Sequence, residues 1–415
     1  MRLTDYEQAI RAGQMGEARR RALESQIAVG RFFDAENFIE IRQAHIMADT
    51  ESLGEAGVRW LEDLAALPEE ENRVVIPTIT DPRGADFRMA ERINQDPAYV
   101  SLEKRVAAAF PALGVLMTNT CINYQTIMPP VRGEHLAMGD TGVVIYCNSV
   151  LGARSNYEGG PAALAAALTG RTPRYGYHLD AYRRGRTRFE LRDRPRSLEE
   201  WGAVGAIIGR RMTSYWEVPV IDGVDVPPTS DEMKHLGAAM ASYGSTALFH
   251  MPGVTPEAPD LESVFDGPPP AAIEITSADI GAFIDAYVPA DDALDVVVFA
   301  APQLSLFELD QVATLLSGRS VDPGVSCIVV TSPENRRAAD RMGLTDRISG
   351  AGAIVLEGVC FYQMHARELA EANGWKRLLT NSAKLVNIIG GYGYEPTLAS
   401  MEACIDSACA GRIVR

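Results

Sequence analysis

The chain has 415 residues, of which 47% are hydrophobic and 23% charged, so it can bury a large core and form two or three α/β lobes. Its formal net charge of -16 argues against nucleic-acid binding, because nucleic-acid phosphates require a basic surface. Acidic residues directly follow the basic run 183–188, which favours a self-neutralising surface there.

The sequence also predicts where the protein resides. It has no run of about 18 apolar residues, so we expect no membrane span. The first 21 residues are polar and lack the apolar core of a secretory signal, so we expect a cytoplasmic protein. Six cysteines are scattered without CxxC pairs, which indicates buried thiols rather than a disulfide framework.

The first third of the chain is predicted to be mainly helical. Residues 1–70 read as helices, followed by a short strand within 72–80 that Pro77 interrupts. A turn at 81–86 and a helix at 103–109 follow, and 112–117 leads as a short strand into the next segment.

The stretch from Met117 to Asp180 gathers small, polar and reactive residues. The segment TGVVIYCNS (141–149) is predicted to be a buried strand, because an apolar β-branched run lies between turn residues. A turn with Gly159 and Gly160 precedes Pro161 and a helix that ends at Gly170. The free N–H groups of such a helix start attract anions, so the corner is either an ordinary β–loop–α connection or a carboxylate or phosphate site.

The second half is predicted to form a parallel sheet covered by helices. Helices at 198–211 and 230–243 and strands at 216–220 and 247–251 precede a proline-rich linker, at which we divide the chain into 1–270 and 271–415. From residue 271, strands and helices alternate about every 25 to 30 residues, which is typical of such a sheet. The predicted strands are 273–275, 295–300, 325–331, 353–356 and 377–380, before a final helix at 397–409. Ligands bind beyond the carboxyl ends of parallel strands, where this sequence places residues 301–303, 332–333, 360 and 381–382.

Two cysteines stand out by their context. Cys121 lies in the polar turn NTCIN, and Cys360 ends the predicted strand LEGVC, whereas the other four lie within predicted strands or a helix. Thiolates from distant loops can meet on one iron–sulfur cluster. Zinc-type spacings, Walker loops and GxSxG motifs do not occur in the sequence.

The run CNSVLGARSNYEGGPAALAAALTGRTPRYGYHLD at 147–180 resembles the catalytic (large) subunit of the aconitase X family. GEAGVRWLEDL, VIPTITDPRGADF, GEHLAMGDTGVVIY, LGAAMASYGSTALFHMPGVTPEA and TNSAK extend the resemblance over nearly the whole chain. The resemblance implies an α/β fold with the multi-lobe, three-layer architecture of aconitases, its parallel sheets covered by helices. It also implies an iron–sulfur-dependent dehydratase.

Activities known in the family are dehydration of cis-3-hydroxy-L-proline in bacteria and of mevalonate 5-phosphate in archaea. The motif TCINYQ looks closer to the bacterial branch, so we expect a hydro-lyase acting on cis-3-hydroxy-L-proline or a related hydroxy acid. The alternatives are a mevalonate 5-phosphate dehydratase and a cluster-less homologue that binds a small acid without catalysis. The resemblance further implies a small swivelling subunit, whose serine-bearing loop completes the site and supplies the base.

By the resemblance, Cys121 and Cys360 match two cluster ligands. Where the family often has Gly-Cys-Pro-His, this chain has Ala300-Ala301-Pro302-Gln303, so the third cysteine and the histidine are missing. Three possibilities follow: a cluster of lower nuclearity, [2Fe-2S] rather than [4Fe-4S]; substitution by another cysteine such as Cys327; or no cluster.

The remaining site predictions concern anion binding and proton transfer. Lys384 is expected to be a second anion ligand, with a surface lysine as the alternative. Glu134 and His135 are expected to orient the site, or to form a structural ion pair. The residues expected to bind the substrate are Asn148, Ser149, Arg154, Asn156, Gly159, Gly160, Asn381 and Ser382.

Overall fold

The structure is a computed structural model that describes residues 1–47 and 49–414. It is an α/β fold in which helices cover parallel sheets, which confirms the predicted class. The strands are β1 (Phe38–Glu40), β2 (Gln43–Ile46), β3 (Thr78–Thr80), β4 (Leu136–Met138), β5 (Arg171–Pro173), β6 (Thr187–Leu191), β7 (Pro219–Asp222), β8 (Ile273–Ile275), β9 (Val296–Leu304), β10 (Ser326–Thr331), β11 (Ile354–Glu357), β12 (Arg377–Thr380) and β13 (Glu395–Leu398).

Most of the helices begin at a polar N-cap residue whose side chain accepts a backbone hydrogen bond. They are α1 (Asp5–Arg11), α2 (Glu17–Phe32), α3 (Thr50–Ala65), α4 (Glu69–Asn72), α5 (Pro97–Ala112), α6 (Thr141–Ser149), α7 (Gly159–Thr169), α8 (Leu198–Gly209), α9 (Ser230–Gly244), α10 (Ser277–Asp285), α11 (Leu306–Leu315), α12 (Pro333–Arg341), α13 (Leu344–Gly350), α14 (Ala366–Asn373), α15 (Ala383–Ile389) and α16 (Met401–Ala410). Short 3-10 helices cover Asn123–Gln125, Gly176–His178, Asp180–Tyr182, Glu262–Val264, Phe361–Gln363 and Gly390–Tyr392.

Two parallel sheets position the site. In the first, the order is β3-β2-β4, and the strands end just before Asp81, Met47 and Gly139. In the second, the order is β11-β10-β9-β12-β13, and all four pairings are parallel, as the alternating sequence pattern predicts. Separate apolar clusters cover the two faces of the second sheet, so its strands are buried on both sides.

Two smaller sheets complete the fold. Strands β7-β6-β8 form a parallel sheet, and β1 pairs with β5 in the antiparallel sense. Strand β8 follows the proposed boundary at residue 270 but pairs with β6, which precedes it. The division into 1–270 and 271–415 stays a prediction.

The segment predicted as a strand at 141–149 is helix α6, so that prediction is wrong. Asp140 caps the helix by accepting a hydrogen bond from Val143 N at 3.0 Å. Residues 142–149 are all buried, and α6 packs against α9. A helix that is buried all round carries no amphipathic pattern, so periodicity could not distinguish it from a buried strand.

Several shorter predictions also differ from the structure. Residues 1–70 include strands β1 and β2 as well as helices, and the predicted strand at 72–80 shrinks to β3. The predicted strand at 247–251 forms one isolated bridge, between His250 and Val220. Residues 112–117 lie at the end of α5 and beyond it, and the predicted final helix begins as β13.

Among the described residues, no helix is long and apolar enough to cross a membrane.

Candidate functional site

The carboxyl ends of the two main sheets meet in the interior of the protein. A parallel bridge joins Arg83, which follows β3, to Val359, which follows β11. The loop at 118–123 also reaches this junction and brings Cys121 against the end of β9. Side chains that follow strands of different sheets therefore converge here, as expected at the carboxyl edge of parallel sheets.

Gln303 lies at the centre of this junction and is 1% exposed. Its side-chain Nε2 donates to Asn119 O at 3.1 Å and to Val359 O at 3.2 Å, and its Oε1 accepts from Cys121 N at 3.3 Å. One buried amide thus bridges the loop that carries Cys121 and the loop that carries Cys360.

The structure brings Cys121 and Cys360 together at this junction, and both thiols are buried. Burial, together with the nearby carboxyl groups of Asp140 and Asp81, raises the pKa of Cys121 to about 12. Burial and the neighbouring Cys121 raise the pKa of Cys360 well above its ordinary value. Both groups are therefore thiols at neutral pH when no metal is bound.

Lys384 is the cation that faces the two thiols. It lies in the first turn of α15, is 5% exposed, and places Nζ 3.5 Å from Asp140 Oδ2. Burial alone would lower the Lys384 pKa, but the surrounding acidic groups, of which Asp140 acts most strongly, together outweigh burial, so the pKa is raised. Lys384 is thus a buried, charged group at the site, and the surface-lysine alternative is wrong.

Asp81 supplies a neutral carboxyl group beside this pair. Burial, reinforced by the charge of Asp140, raises its pKa well above the ordinary range. Its Oδ1 lies 3.5 Å from His45 Nε2, which is hydrogen-bonded to Thr120 O at 2.8 Å. Among the described residues, Asp81 Oδ1 has no hydrogen-bond partner although it is buried. An unpartnered buried oxygen of this kind points to a contact with a ligand or with water.

Asp49 adds a second unpartnered carboxylate oxygen. Its Oδ1 caps α3 by accepting from Ser52 N at 2.8 Å, whereas its buried Oδ2 has no partner within the described part of the chain. Asp49, Asp81 and Asp140 are not among the site residues predicted from the sequence. The signal available was their place, since each follows shortly after a strand of the first sheet.

The glycine corner at the start of α7 lies beside these carboxyl groups. A Cβ on Gly139 would lie 2.9 Å from His45 O and 3.0 Å from Gly159 O, and one on Gly160 would lie 2.4 Å from Met47 O. Both positions therefore require glycine for close backbone approach. Gly159 borders open space, so the α7 N-terminus adjoins the site from its open side.

Asn381 and Ser382 follow β12 and lead into Lys384. Ser382 Oγ caps α15 by accepting from Leu385 N at 3.1 Å and donates to Ala301 O at 2.5 Å. Its hydroxyl is therefore engaged in fixing α15 against β9. Asn381 is buried next to it.

Four predicted substrate ligands instead stabilise a loop. Asn148 bonds to Ser155 and to Ala247 O, and Ser149 Oγ accepts from Phe249 N at 2.9 Å. Asn156 bonds to Tyr175 O and Tyr177 N. Arg154 pairs with Asp180 at 2.5 Å. These side chains are satisfied within the chain, so the structure does not support their assignment to substrate.

Glu134 and His135 precede β4 and lie at its opposite end from Asp140, about 16 Å away along the strand. Glu134 Oε2 accepts from Val131 N at 2.9 Å, and His135 Nδ1 lies 3.0 Å from His178 Nδ1. Burial, with nearby Arg154, lowers the pKa of His135 to about 4. The structure thus places these two residues away from the junction, and their expected role in orienting the site stays a prediction.

The donor set does not fit an iron–sulfur cluster held by this chain alone. Such clusters are held by three or four Cys or His ligands, whereas this site provides two thiols. Within the described residues, no group of three His, Cys, Asp or Glu side chains could hold a metal. Cys327 lies at the amino end of β10 in the apolar core, so it does not substitute for the third ligand. The expected cluster stays a prediction from the resemblance.

The comparisons with known proteins agree over nearly the whole chain. Family profiles of the first, second and third domains of aconitase X match residues 1–181, 185–285 and 294–410. The chain is 33% identical to the phosphomevalonate dehydratase large subunit of Methanothermobacter thermautotrophicus, covering 96% of this chain and 95% of that protein. It is 31% identical to the cis-3-hydroxy-L-proline dehydratase of Pseudomonas aeruginosa, covering 99% of this chain and 70% of that protein.

A solved structure shows the same fold. The crystal structure of Thermococcus kodakaraensis aconitase X in its holo-form matches with a TM-score of 0.87 and 28% identity. The match covers 98% of this chain and 100% of that one.

Proposed function

Because this chain belongs to the aconitase X family, whose curated relatives are named dehydratases, we propose that it is the large subunit of a hydro-lyase. The observation that carries the proposal is the buried group of Lys384, Asp140, Asp81 and the two thiols where the two parallel sheets meet. A charged lysine, a neutral carboxylic acid and unpartnered carboxylate oxygens are what a small hydroxy acid requires for binding and water loss.

We assign substrate binding to Lys384. Its ammonium pairs with the substrate carboxylate, and the N–H groups at the start of α7 assist from the open side. Asp140, already paired with Lys384, faces a cationic group on the same substrate. A zwitterion therefore suits this pocket, because it brings one charge of each sign.

We assign the acid to Asp81. Loss of water breaks a C–H and a C–O bond and forms a C=C bond, and the hydroxide leaves with a proton. Asp81 is kept protonated by burial, and its unpartnered oxygen can deliver that proton. We assign the base that takes the carbon-bound proton to a small partner subunit, which the names of several relatives as large subunits support.

The charge of the site favours cis-3-hydroxy-L-proline as the substrate. Its carboxylate and ring ammonium match Lys384 and Asp140, whereas a phosphate dianion would face Asp140 and Asp49 with Lys384 as its cation. Mevalonate 5-phosphate is the second candidate. It is favoured by sequence identity, because two phosphomevalonate dehydratase large subunits are 33% identical to this chain and the hydroxyproline enzyme is 31% identical.

A substrate panel tests the proposal. The chain is purified without oxygen, mixed with the proposed small subunit, and supplied with each substrate, while proton NMR follows loss of the signal of the proton on the hydroxyl-bearing carbon. We expect water loss from cis-3-hydroxy-L-proline. Turnover of mevalonate 5-phosphate alone would reassign the substrate, and turnover of neither would favour the non-catalytic acid-binding alternative.

A further inference from the structure

The buried amide of Gln303 has a role that goes beyond the proposed reaction. We propose that Gln303 is the positioning residue of this site, and that its amide holds Cys121 and Cys360 together without a protein-bound iron–sulfur cluster.

The first argument is that every polar group of Gln303 is engaged at the junction. The side chain bridges Asn119 O, Cys121 N and Val359 O, as described above. Its backbone N–H also donates to Cys121 Sγ at 3.5 Å. The residue thus contacts one thiol directly and the backbone next to the other, so moving its amide moves both loops.

The second argument is that Gln303 is itself fixed from behind. Lys234 Nζ donates to Gln303 O at 3.2 Å and pairs with Glu308 and, at 3.1 Å, with Asp231. Lys234 is 1% exposed, so this is a buried charge whose partners must stay in place. The network is therefore a rigid support for the end of β9.

The third argument is the donor set. In a cluster, iron links cysteine-bearing loops through three or four ligands. Here two thiols meet, and the adjoining strand β9 has Ala301 where the third cysteine is expected. The other cysteines do not reach the site, since Cys147 lies on α6 within the core and Cys327 and Cys404 pack behind the second sheet. Hydrogen bonds from one amide take the place of that link between the loops.

The test measures thiol protection in the folded chain, so it does not depend on activity. Gln303→Met removes the three side-chain bonds at nearly constant volume, and Gln303→Asn is a milder variant that is too short to span both loops. Gln95→Met is the matched control, because Gln95 is a buried amide that bonds to Gly84 O and to Met364 O, four residues after Cys360, but not to residues 119–121 or 359–360, which Gln303 bridges. Dithiodipyridine labelling is followed by mass spectrometry at each cysteine.

We expect Cys121 and Cys360 to label at least about tenfold faster in both Gln303 variants, the scale of a lost buried hydrogen bond. Cys147, Cys327 and Cys404 stay protected, and Gln95→Met leaves the site thiols as slow as in the wild type. Unchanged labelling, or a parallel rise at all cysteines in the Gln303 variants and in Gln95→Met, would overturn the positioning role.

Iron and sulfide analysis of the wild-type chain tests the second half of the proposal. After anaerobic purification and incubation with ferrous iron and sulfide, we expect no stoichiometric iron and no visible absorption band. About two or more irons per chain, with a chromophore lost in Cys121→Ser, would show that a cluster is bound. The iron content of the chain does not decide whether it dehydrates a substrate. The substrate panel measures that separately.

Discussion

Replacing Glu308 with Gln tests the support behind the site, because this carboxylate carries the buried charge network. Glu308 is 3% exposed, pairs with Lys234, and accepts from His235 Nε2 at 2.8 Å. Burial would raise its pKa, but Lys234 and His235 lower it from 4.5 to about 2. That difference corresponds to about 3 kcal/mol of stabilisation of the folded state.

The pH dependence of this stabilisation has a defined sign. Because the folded-state pKa is depressed, the stabilisation is fully present above about pH 4.5 and is lost as the pH falls towards about 2. Glu308→Gln leaves buried Lys234 with the Asp231 carboxylate but without that of Glu308 at every pH in this range. The difference in stability between wild type and variant is therefore expected to shrink as the pH falls.

Hydrogen exchange with mass spectrometry measures the effect locally. Peptides from β9 and α11 are expected to exchange about a hundredfold faster in Glu308→Gln at pH 7, which is about 3 kcal/mol of opening free energy. Glu402→Gln is the control, since Glu402 is exposed and bonds to Gln311 at 3.0 Å. A change below about tenfold, or a difference that does not depend on pH, would refute the reasoning.

Three further predictions concern the site and the neighbouring loop. Asp81→Asn is expected to lower kcat by about 10² to 10⁴ with little change in KM, because the proton donor is lost. Steady-state kinetics with the small subunit measures this, and an unchanged kcat would show that Asp81 is not the acid. Buried Arg183 donates to Asn148 O and Ala153 O and pairs with Glu257 at 2.7 Å, so it holds the loop after α6 in place. Arg183→Met is expected to cost about 3 to 5 kcal/mol in urea unfolding, and an unchanged midpoint would contradict this role. His135→Gln is expected to keep kcat and KM within about twofold, because the residue lies far from Lys384. A large loss of kcat would show that His135 acts in the reaction.

The elements that can be predicted from sequence are those in which polar capping residues bound an apolar segment. Around the second sheet, polar caps such as Ser305 and Ser332 separate buried strands from half-exposed helices, so the predicted strands at 325–331, 353–356 and 377–380 match β10, β11 and β12 to within one residue. Helix α6 was missed because nearly all its residues are buried. The local signal for a helix is Asp140 directly before it, because Asp is a common N-cap residue and caps α6 here.

The site could be predicted only in part, because buried polar residues serve two purposes. Cys121, Cys360 and Lys384 were named from their places in turns and at a strand end, and the structure places them together. Asn148 and Asn156 looked like ligand donors but bond to backbone across long sequence separations. Such pairings depend on tertiary contacts, so no local pattern distinguishes them from substrate contacts.

The catalytic efficiency of Lys384→Met in the assembled two-subunit enzyme tests the central claim most directly. The lysine is buried between Asp140 and the two thiols, so the account predicts that kcat/KM falls by about a hundredfold or more, while the variant still binds the small subunit. If Lys384→Met dehydrates the substrate as fast as the wild type, the reaction takes place elsewhere and the proposed site is wrong.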